Sequence, residues 1–193
     1  MRILARKRRA GFVLAEVLVV TGILTSLGSG SFQNVTNKAH QVACMNNLKQ
    51  IYTSIQLLTA EGEPLPKAWF YPPDNAPNRE QYNIVNLLKA QGCPPQMFIC
   101  PSAPEAIQKR KICYLYNDMV GGKDLDTVGD PSNTWLMMDV NCATALVPPA
   151  HVGGANVLFV DGHVKWMPAN LLPKLTPPAT PQAGAAQQHN DDE

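Results

Sequence analysis

An apolar run near the start of the chain, interrupted by a single acid, restricts the possible folds more than any other feature. Five basic side chains stand in residues 1–11, and an apolar stretch follows from Phe12 to Leu27 with Glu16 inside it. A carboxylate at this depth is costly in a lipid bilayer, so its position needs a physical explanation. An ordinary secretory signal peptide fits poorly, because the apolar run begins at a Gly-Phe step and carries an acid at its fifth residue.

The residues around Glu16 form a short motif. The sequence GFVLAE at 11–16 resembles the processing motif of type IV prepilins and of the pseudopilins of type II secretion. The resemblance implies that a prepilin peptidase cleaves after Gly11 on the cytoplasmic side and that the new amino group of Phe12 is methylated. Residues 1–11 would then be a leader peptide, and the apolar helix would be kept and would assemble with other pilin-like subunits. A plain signal anchor is the alternative.

The apolar run predicts a transmembrane and assembly helix over residues 12–32. The 16 residues from Phe12 to Leu27 fall short of the roughly 20 that cross a bilayer, and extension to Phe32 gives 21. Positive charge holds the leader in the cytoplasm, so the resemblance implies a bacterial inner-membrane protein with an extracytoplasmic C-terminal domain. In a filament, Glu16 is predicted to pair with the Phe12 amine of a neighbouring subunit and to set the register.

A second helical pattern predicts an amphipathic stalk over residues 33–60. Apolar residues recur there at spacings of three and four, and Gly62 and Pro64 end the pattern. Residues 61–172 are predicted to form a globular head. Residues 173–193 are rich in Pro, Ala, Gln and Asp and are predicted to be disordered.

The head is predicted to combine one helix, at residues 79–91, with several short strands. The strands are predicted at residues 97–100, 112–116 and 134–139 and near 155–160 and 163–167. Strands that follow helices without helical crossovers favour an antiparallel sheet. The predicted fold class is therefore α+β and pilin-like. A long N-terminal helix, with its first half in the membrane, would pack on a small C-terminal antiparallel sheet.

Removal of the leader would change the sign of the net charge. The whole chain carries +1, whereas residues 12–193 hold 11 basic and 15 acidic side chains, a net charge of −4. No basic stripe remains for binding phosphates, so nucleic acid is not expected as a partner.

A hairpin centred on Asp161 and Gly162 is the clearest local signal in the head. Two β-rich runs flank this pair, which is typical of a two-residue type I′ turn. His151 stands ten residues before Asp161, a spacing that resembles the C-terminal signature of a bacterial group of pilin-like proteins, the processing-associated H-X9-DG domain. Residues 46–51 and 98–102 resemble further parts of the same group.

Three roles are open for His151 and Asp161. Catalysis would need a nucleophile beside them, and no recognisable motif supplies one, so an enzyme is not predicted. Metal binding would draw on Asp139, His151, Asp161 and His163. The resemblance keeps calcium open, while histidine suits zinc better. The favoured role is structural, with His151 hydrogen-bonded across the hairpin and Asp161 serving the turn, so no cofactor is predicted.

The head is predicted to face an oxidising compartment, which permits disulfide formation between its cysteines. The five cysteines are Cys44, Cys93, Cys100, Cys113 and Cys142. Spacing does not give their connectivity, and one must be left over in a monomer. A pair between the stalk cysteine Cys44 and Cys100 of the predicted sheet is the disulfide we expect. A zinc site built from the cysteines lacks any C-x-x-C spacing.

Two functions follow from these patterns. The first is a structural pseudopilin-like subunit of a type II secretion or type IV filament system, which acts by polymerising. The alternative is a membrane-anchored envelope protein whose head binds a ligand or partner. Glu16 favours the first, because a mere anchor gains nothing from an acid in mid-membrane.

Overall fold

A computed structural model of the chain describes residues 4–60, 62–72, 80–140 and 150–172. The side chains of residues 4–13 and 24–31 lie outside that description, as does the predicted tail at 173–193. The helices are α1 (Leu4–Thr59), α2 (Ile84–Lys89) and α3 (Glu105–Gln108), and the strands are β1 (Tyr114–Tyr116), β2 (Trp135–Asp139), β3 (Gly154–Phe159) and β4 (Val164–Pro168). The predicted α+β class and the long N-terminal helix are confirmed.

The four strands form one antiparallel sheet in chain order, β1-β2-β3-β4. Leu115 stands opposite Met138 across β1 and β2, and Met138 stands opposite Val157 across β2 and β3. Each strand therefore pairs with its neighbour in sequence. This arrangement needs no helical crossover, as antiparallel pairing permits.

The second half of α1 packs on one face of this sheet. Leu48, Ile51 and Ile55 recur at helical spacing and are 0% exposed. They share a core with Tyr114 of β1 and Leu158 of β3. Burying one aliphatic side chain contributes about 1.5–3 kcal/mol of favourable free energy. Three such residues together contribute a free energy comparable to the net stability of a whole domain, about 5–15 kcal/mol. The helix end is thus part of the head.

Side chains that point to the other face of the sheet form a second, smaller core. Leu115, Met138 and Val157 are buried there, with Phe70 and Trp135 packed against them. Neighbouring residues Tyr114 and Leu115 thus belong to different cores, because successive side chains of a strand point to opposite faces. Both faces of the sheet are covered.

Two predicted elements need correction. Residues 97–100 are not a strand, because the chain forms a 3₁₀ helix at Pro95–Phe98 instead. Pro95 starts this turn with a fixed φ and no N–H to give to a ladder. The second helix covers only Ile84–Lys89, since the side chain of Asn83 accepts the Val85 N–H at 3.0 Å and caps it there.

The hairpin joining β3 to β4 is confirmed, but its turn differs from the prediction. Of Asp161 and Gly162, only Gly162 has a positive φ, +91°, whereas a type I′ turn needs both residues there. The Gly162 N–H donates to Phe159 O and the Phe159 N–H to His163 O. The loop thus has three residues. Tyr52 of α1 lies under it and donates its hydroxyl proton to Val160 O at 3.0 Å.

Candidate functional site

The first half of α1 presents an apolar surface to solvent. Every side chain described between residues 14 and 39 is exposed. The large apolar residues among them include Leu14 (64%), Leu18 (64%), Val19 (61%), Phe32 (72%) and Val35 (67%). Between residues 14 and 23 these apolar side chains are neighbours on the helix, and an exposed apolar patch of this kind is typical of an interaction site. Within the described residues, none of the helices combines the length and apolar character required to cross a membrane.

Glu16 lies within this surface. It borders a shallow apolar depression together with Ala15, Val19 and Val20. Because residues four apart share a helix face, Val20 lies directly above Glu16. The acid is therefore set among aliphatic side chains. The backbone of Gly11 and Phe12 belongs to α1, and their side chains lie outside the described set.

A second group of chemically active residues is buried between α1 and the sheet. The ligand atoms of Cys44, Cys100, Asp139 and His151 all lie within 4.8 Å of one another. His151 Nε2 is 3.6 Å from Cys100 Sγ and 3.6 Å from Asp139 Oδ2. None of the four residues is more than 4% exposed. We call these four residues the buried cluster.

Four separate parts of the fold bring the buried cluster together. Cys44 lies on the α1 face that continues into the core. Cys100 follows the 3₁₀ helix, Asp139 ends β2, and His151 precedes β3, where its backbone bridges Gly154. Asp139 is held by the Asn156 N–H, which donates to Oδ2 at 2.8 Å. The site is therefore fixed by the packing of helix on sheet.

Polar atoms of the cluster remain without partners. Within the described residues, Asp139 Oδ1 and His151 Nδ1 are buried and make no hydrogen bond. Leaving such an atom unsatisfied costs about 1–3 kcal/mol. The cluster thus has unused capacity to bind a proton or a cation.

Burial sets the protonation of the cluster. It raises the pKa of Asp139 to about 6, against the opposing effects of His151 and the Asn156 N–H. Burial lowers the pKa of His151, but the Cys100 thiol and the Asp139 carboxylate outweigh it and raise the pKa. Contact with Cys44, and then burial, raise the pKa of the Cys100 thiol. Without a bound cation, Cys100 is therefore a neutral thiol.

These pKa shifts predict that the free energy of unfolding decreases as the pH rises. The pKa of Asp139 goes from 3.8 to about 6 on folding, so in that interval the folded chain holds a proton that the unfolded chain releases. Above about pH 6.5 the raised pKa of His151 has the same effect, because the folded chain keeps a proton on this histidine that the unfolded chain releases. Since the folded state binds more protons, the free energy of unfolding decreases with pH. Denaturation of the reduced, EDTA-treated chain, followed by tryptophan fluorescence, should give less stability at pH 7 than at pH 4.5.

The control for this pH dependence is Asp139→Asn, which keeps the shape of the side chain but does not titrate. Its free energy of unfolding should decline less between pH 4.5 and pH 6 than that of the natural chain. A natural chain that becomes more stable across this interval would contradict the assignment.

The sequence suggested four residues as metal ligands, and the structure places them at two separate sites. Asp139 and His151 lie in the buried cluster, whereas Asp161 and His163 pair on the hairpin, with 2.6 Å between Oδ1 and Nδ1. Asp161 Oδ1 also accepts the His163 N–H, and the His163 ring stacks on Phe159 at 4.3 Å. The hairpin pair therefore serves the turn. His151 faces Cys100 rather than the opposite strand of the hairpin.

The cysteine pair expected from the sequence is brought together, with both residues as thiols. Cys44 and Cys100 have sulfur atoms within 4.8 Å, and both are free, as are Cys93 and Cys113. Cys142 falls in 141–149, outside the described ranges. Cys100 lies after the 3₁₀ helix and not on the sheet. The disulfide between Cys44 and Cys100 stays a prediction.

The sequence pointed to all four residues of the buried cluster, but it assigned them to two different kinds of site. Cys44 and Cys100 were assigned to a disulfide, and Asp139 and His151 to a metal site with the hairpin residues. One signal could have joined them, because Asp139 is an acid at the end of the apolar run WLMMD and needs a buried partner. No family model, curated protein or solved structure matches this chain.

Proposed function

We propose that this chain is a structural, pilin-like subunit that polymerises through the first half of α1, as a pseudopilin of a type II secretion or type IV filament system. The observation that carries the proposal is that the two halves of α1 have different surroundings. Leu48 and Ile51 are fully buried in the head, whereas Leu14 and Leu18 of the same helix are each 64% exposed. A helix that is anchored in its own head at one end and apolar and uncovered at the other is suited to pack on like helices.

The length of the first half of α1 supports this function. From Leu14 to Val35 the helix advances about 33 Å at 1.5 Å per residue, close to the roughly 30 Å thickness of a bilayer core. We propose that this segment, whose side chains at 24–31 lie outside the described set, lies in the inner membrane before assembly and in the core of a helical bundle afterwards. In both places its aliphatic side chains are removed from water, which stabilises each state.

Processing and assembly would share the start of this helix. We infer cleavage by a prepilin peptidase after Gly11, which creates a new amine at Phe12. Glu16 lies four residues after Phe12 and would accept that amine from a neighbouring subunit. Its place on the apolar face supports this role, since a desolvated ion pair between subunits specifies how far one helix slides along the next.

Photo-crosslinking tests assembly directly. A photoreactive amino acid at Leu18, expressed in cells that hold a prepilin peptidase, should link the chain to a second copy or to another pilin-like subunit. The same group at Met119, which is 76% exposed on the head, is the matched control and should give far fewer such links. Mass spectrometry of the recovered chain should find an N-terminal, methylated Phe12.

The opposite results would reject the proposal. A chain that keeps residues 1–11, stays monomeric, and links through Leu18 only to lipid would fit the envelope-anchor function instead. In that case the head, and not the helix, would carry the activity.

A further inference from the structure

We propose that Cys44, Cys100, Asp139 and His151 form a binding site for one zinc ion. This inference concerns the head alone and does not depend on assembly through α1. It rests on three features of the buried cluster, namely its donor types, its geometry and its unsatisfied polar atoms.

The donor types select the class of metal. Two sulfur atoms, one imidazole nitrogen and one carboxylate oxygen are the ligands found at zinc sites. Calcium prefers six to eight oxygen ligands, and this cluster offers the oxygens of one carboxylate. The calcium considered from the resemblance therefore does not suit these residues, whereas zinc does.

The distances fit a tetrahedral site. With the usual zinc–sulfur and zinc–nitrogen or zinc–oxygen bond lengths, the ligand atoms of a tetrahedron lie about 3.3–3.8 Å apart. His151 Nε2 lies 3.6 Å from both Cys100 Sγ and Asp139 Oδ2. The remaining pairs, including those of Cys44, are within 4.8 Å. Small side-chain movements toward a common centre would complete the site.

A buried carboxylate oxygen without a partner is the third feature. Asp139 is 0% exposed, and its Oδ1 has no hydrogen-bond partner within the described residues. A buried carboxylate needs a positive charge or donors around it. The Asn156 N–H already holds Oδ2, which orients the carboxylate as the outer partners of metal ligands do.

The expected role of the ion is structural. All four positions are filled by protein side chains and are closed to solvent, which leaves no open position for a substrate. Binding would displace the thiol protons of Cys44 and Cys100, giving two thiolates, one carboxylate and a neutral histidine around the ion. The ion would join α1, the loop after the 3₁₀ helix, the end of β2 and the start of β3.

Metal titration of the full chain in detergent tests this site. The reduced, EDTA-treated chain is titrated with Zn²⁺ alone, and the bound metal is measured by mass spectrometry after desalting. We expect one zinc per chain. Substitution with Co²⁺ should give thiolate-to-cobalt charge-transfer bands and the visible bands of tetrahedral cobalt. Cys100→Ser and His151→Gln should each weaken zinc binding by at least about tenfold.

Two control variants separate the cluster from other residues of the same type. Cys93→Ser changes a buried thiol outside the cluster, and His163→Gln changes the hairpin histidine, so both should keep one zinc. If Cys100→Ser fails to fold, the cobalt spectrum of the natural chain still decides, since a spectrum without thiolate bands overturns the site. A reduced natural chain that binds no stoichiometric zinc, or that isolates as a Cys44–Cys100 disulfide and takes up none after reduction, also overturns it.

Discussion

Glu16→Ala should abolish co-assembly of the chain while leaving the unfolding of its head unchanged. Removing one partner of a buried ion pair typically costs about 3–5 kcal/mol, which weakens association roughly 10²- to 4 × 10³-fold at about 1.4 kcal/mol per tenfold. The head should not respond, because Glu16 is exposed and contacts no part of the core. Crosslinking yield from Leu18, with and without the substitution, measures the effect.

The matched control for this substitution is Glu63→Ala, which removes an exposed acid outside α1. It should leave the crosslinking yield unchanged. Glu16→Ala subunits that assemble to normal levels would show that no interhelical ion pair sets the register.

Gly154→Ala should destabilise the head by about 3 kcal/mol or more. A methyl group at this position would overlap the Met167 carbonyl oxygen and lie 2.8 Å from the Trp166 ring. Met167 and Trp166 belong to β4, which pairs with β3 through five residue pairs beginning at Gly154 and Pro168. The backbone oxygen has no rotamer to change, so the two strands must separate locally. Overpacking of this kind typically costs 1–3 kcal/mol and sometimes more.

Gly129→Ala provides the comparison for Gly154→Ala. A methyl group at Gly129 meets no atom within 4 Å, and its φ is not positive, so the change in stability should stay within about 0.5 kcal/mol. Denaturant unfolding of both variants, followed by tryptophan fluorescence, makes the comparison. Equal stability of the two variants would mean that β3 and β4 do not approach as closely as the structure has them.

Elements with a strong periodic pattern were predictable from the sequence. The spacing of Leu48, Ile51 and Ile55 predicted both the stalk helix and its buried face, because apolar residues three and four apart lie on one side of a helix. The hairpin at β3–β4 followed from its β-rich runs. Its turn type did not, since the Asp-Gly pair suits more than one loop and the chain uses a three-residue loop with only Gly162 at positive φ.

Short segments were less predictable, because apolar residue types can favour a strand where a neighbouring proline imposes a turn. Residues 97–100 contain Phe98 and Cys100, both fully buried, and read as a strand. Prolines at 94 and 95 impose a turn instead, and the burial comes from packing against α1 and not from a ladder. The buried cluster was hidden for another reason, since its four residues come from segments that only the folded chain brings together.

The continuity of α1 has a practical consequence for any assembly that it forms. The helix runs unbroken from Leu4 to Thr59, and Tyr52 ties its second half to the β3–β4 loop, so the orientation of the helix sets the orientation of the head. A peptide tag inserted at the exposed Met119 would then recur at a constant angle around the axis of a polymer and at a constant spacing along it. Such a tag would report the helical symmetry of the polymer directly, for example as regularly spaced gold labels in electron micrographs.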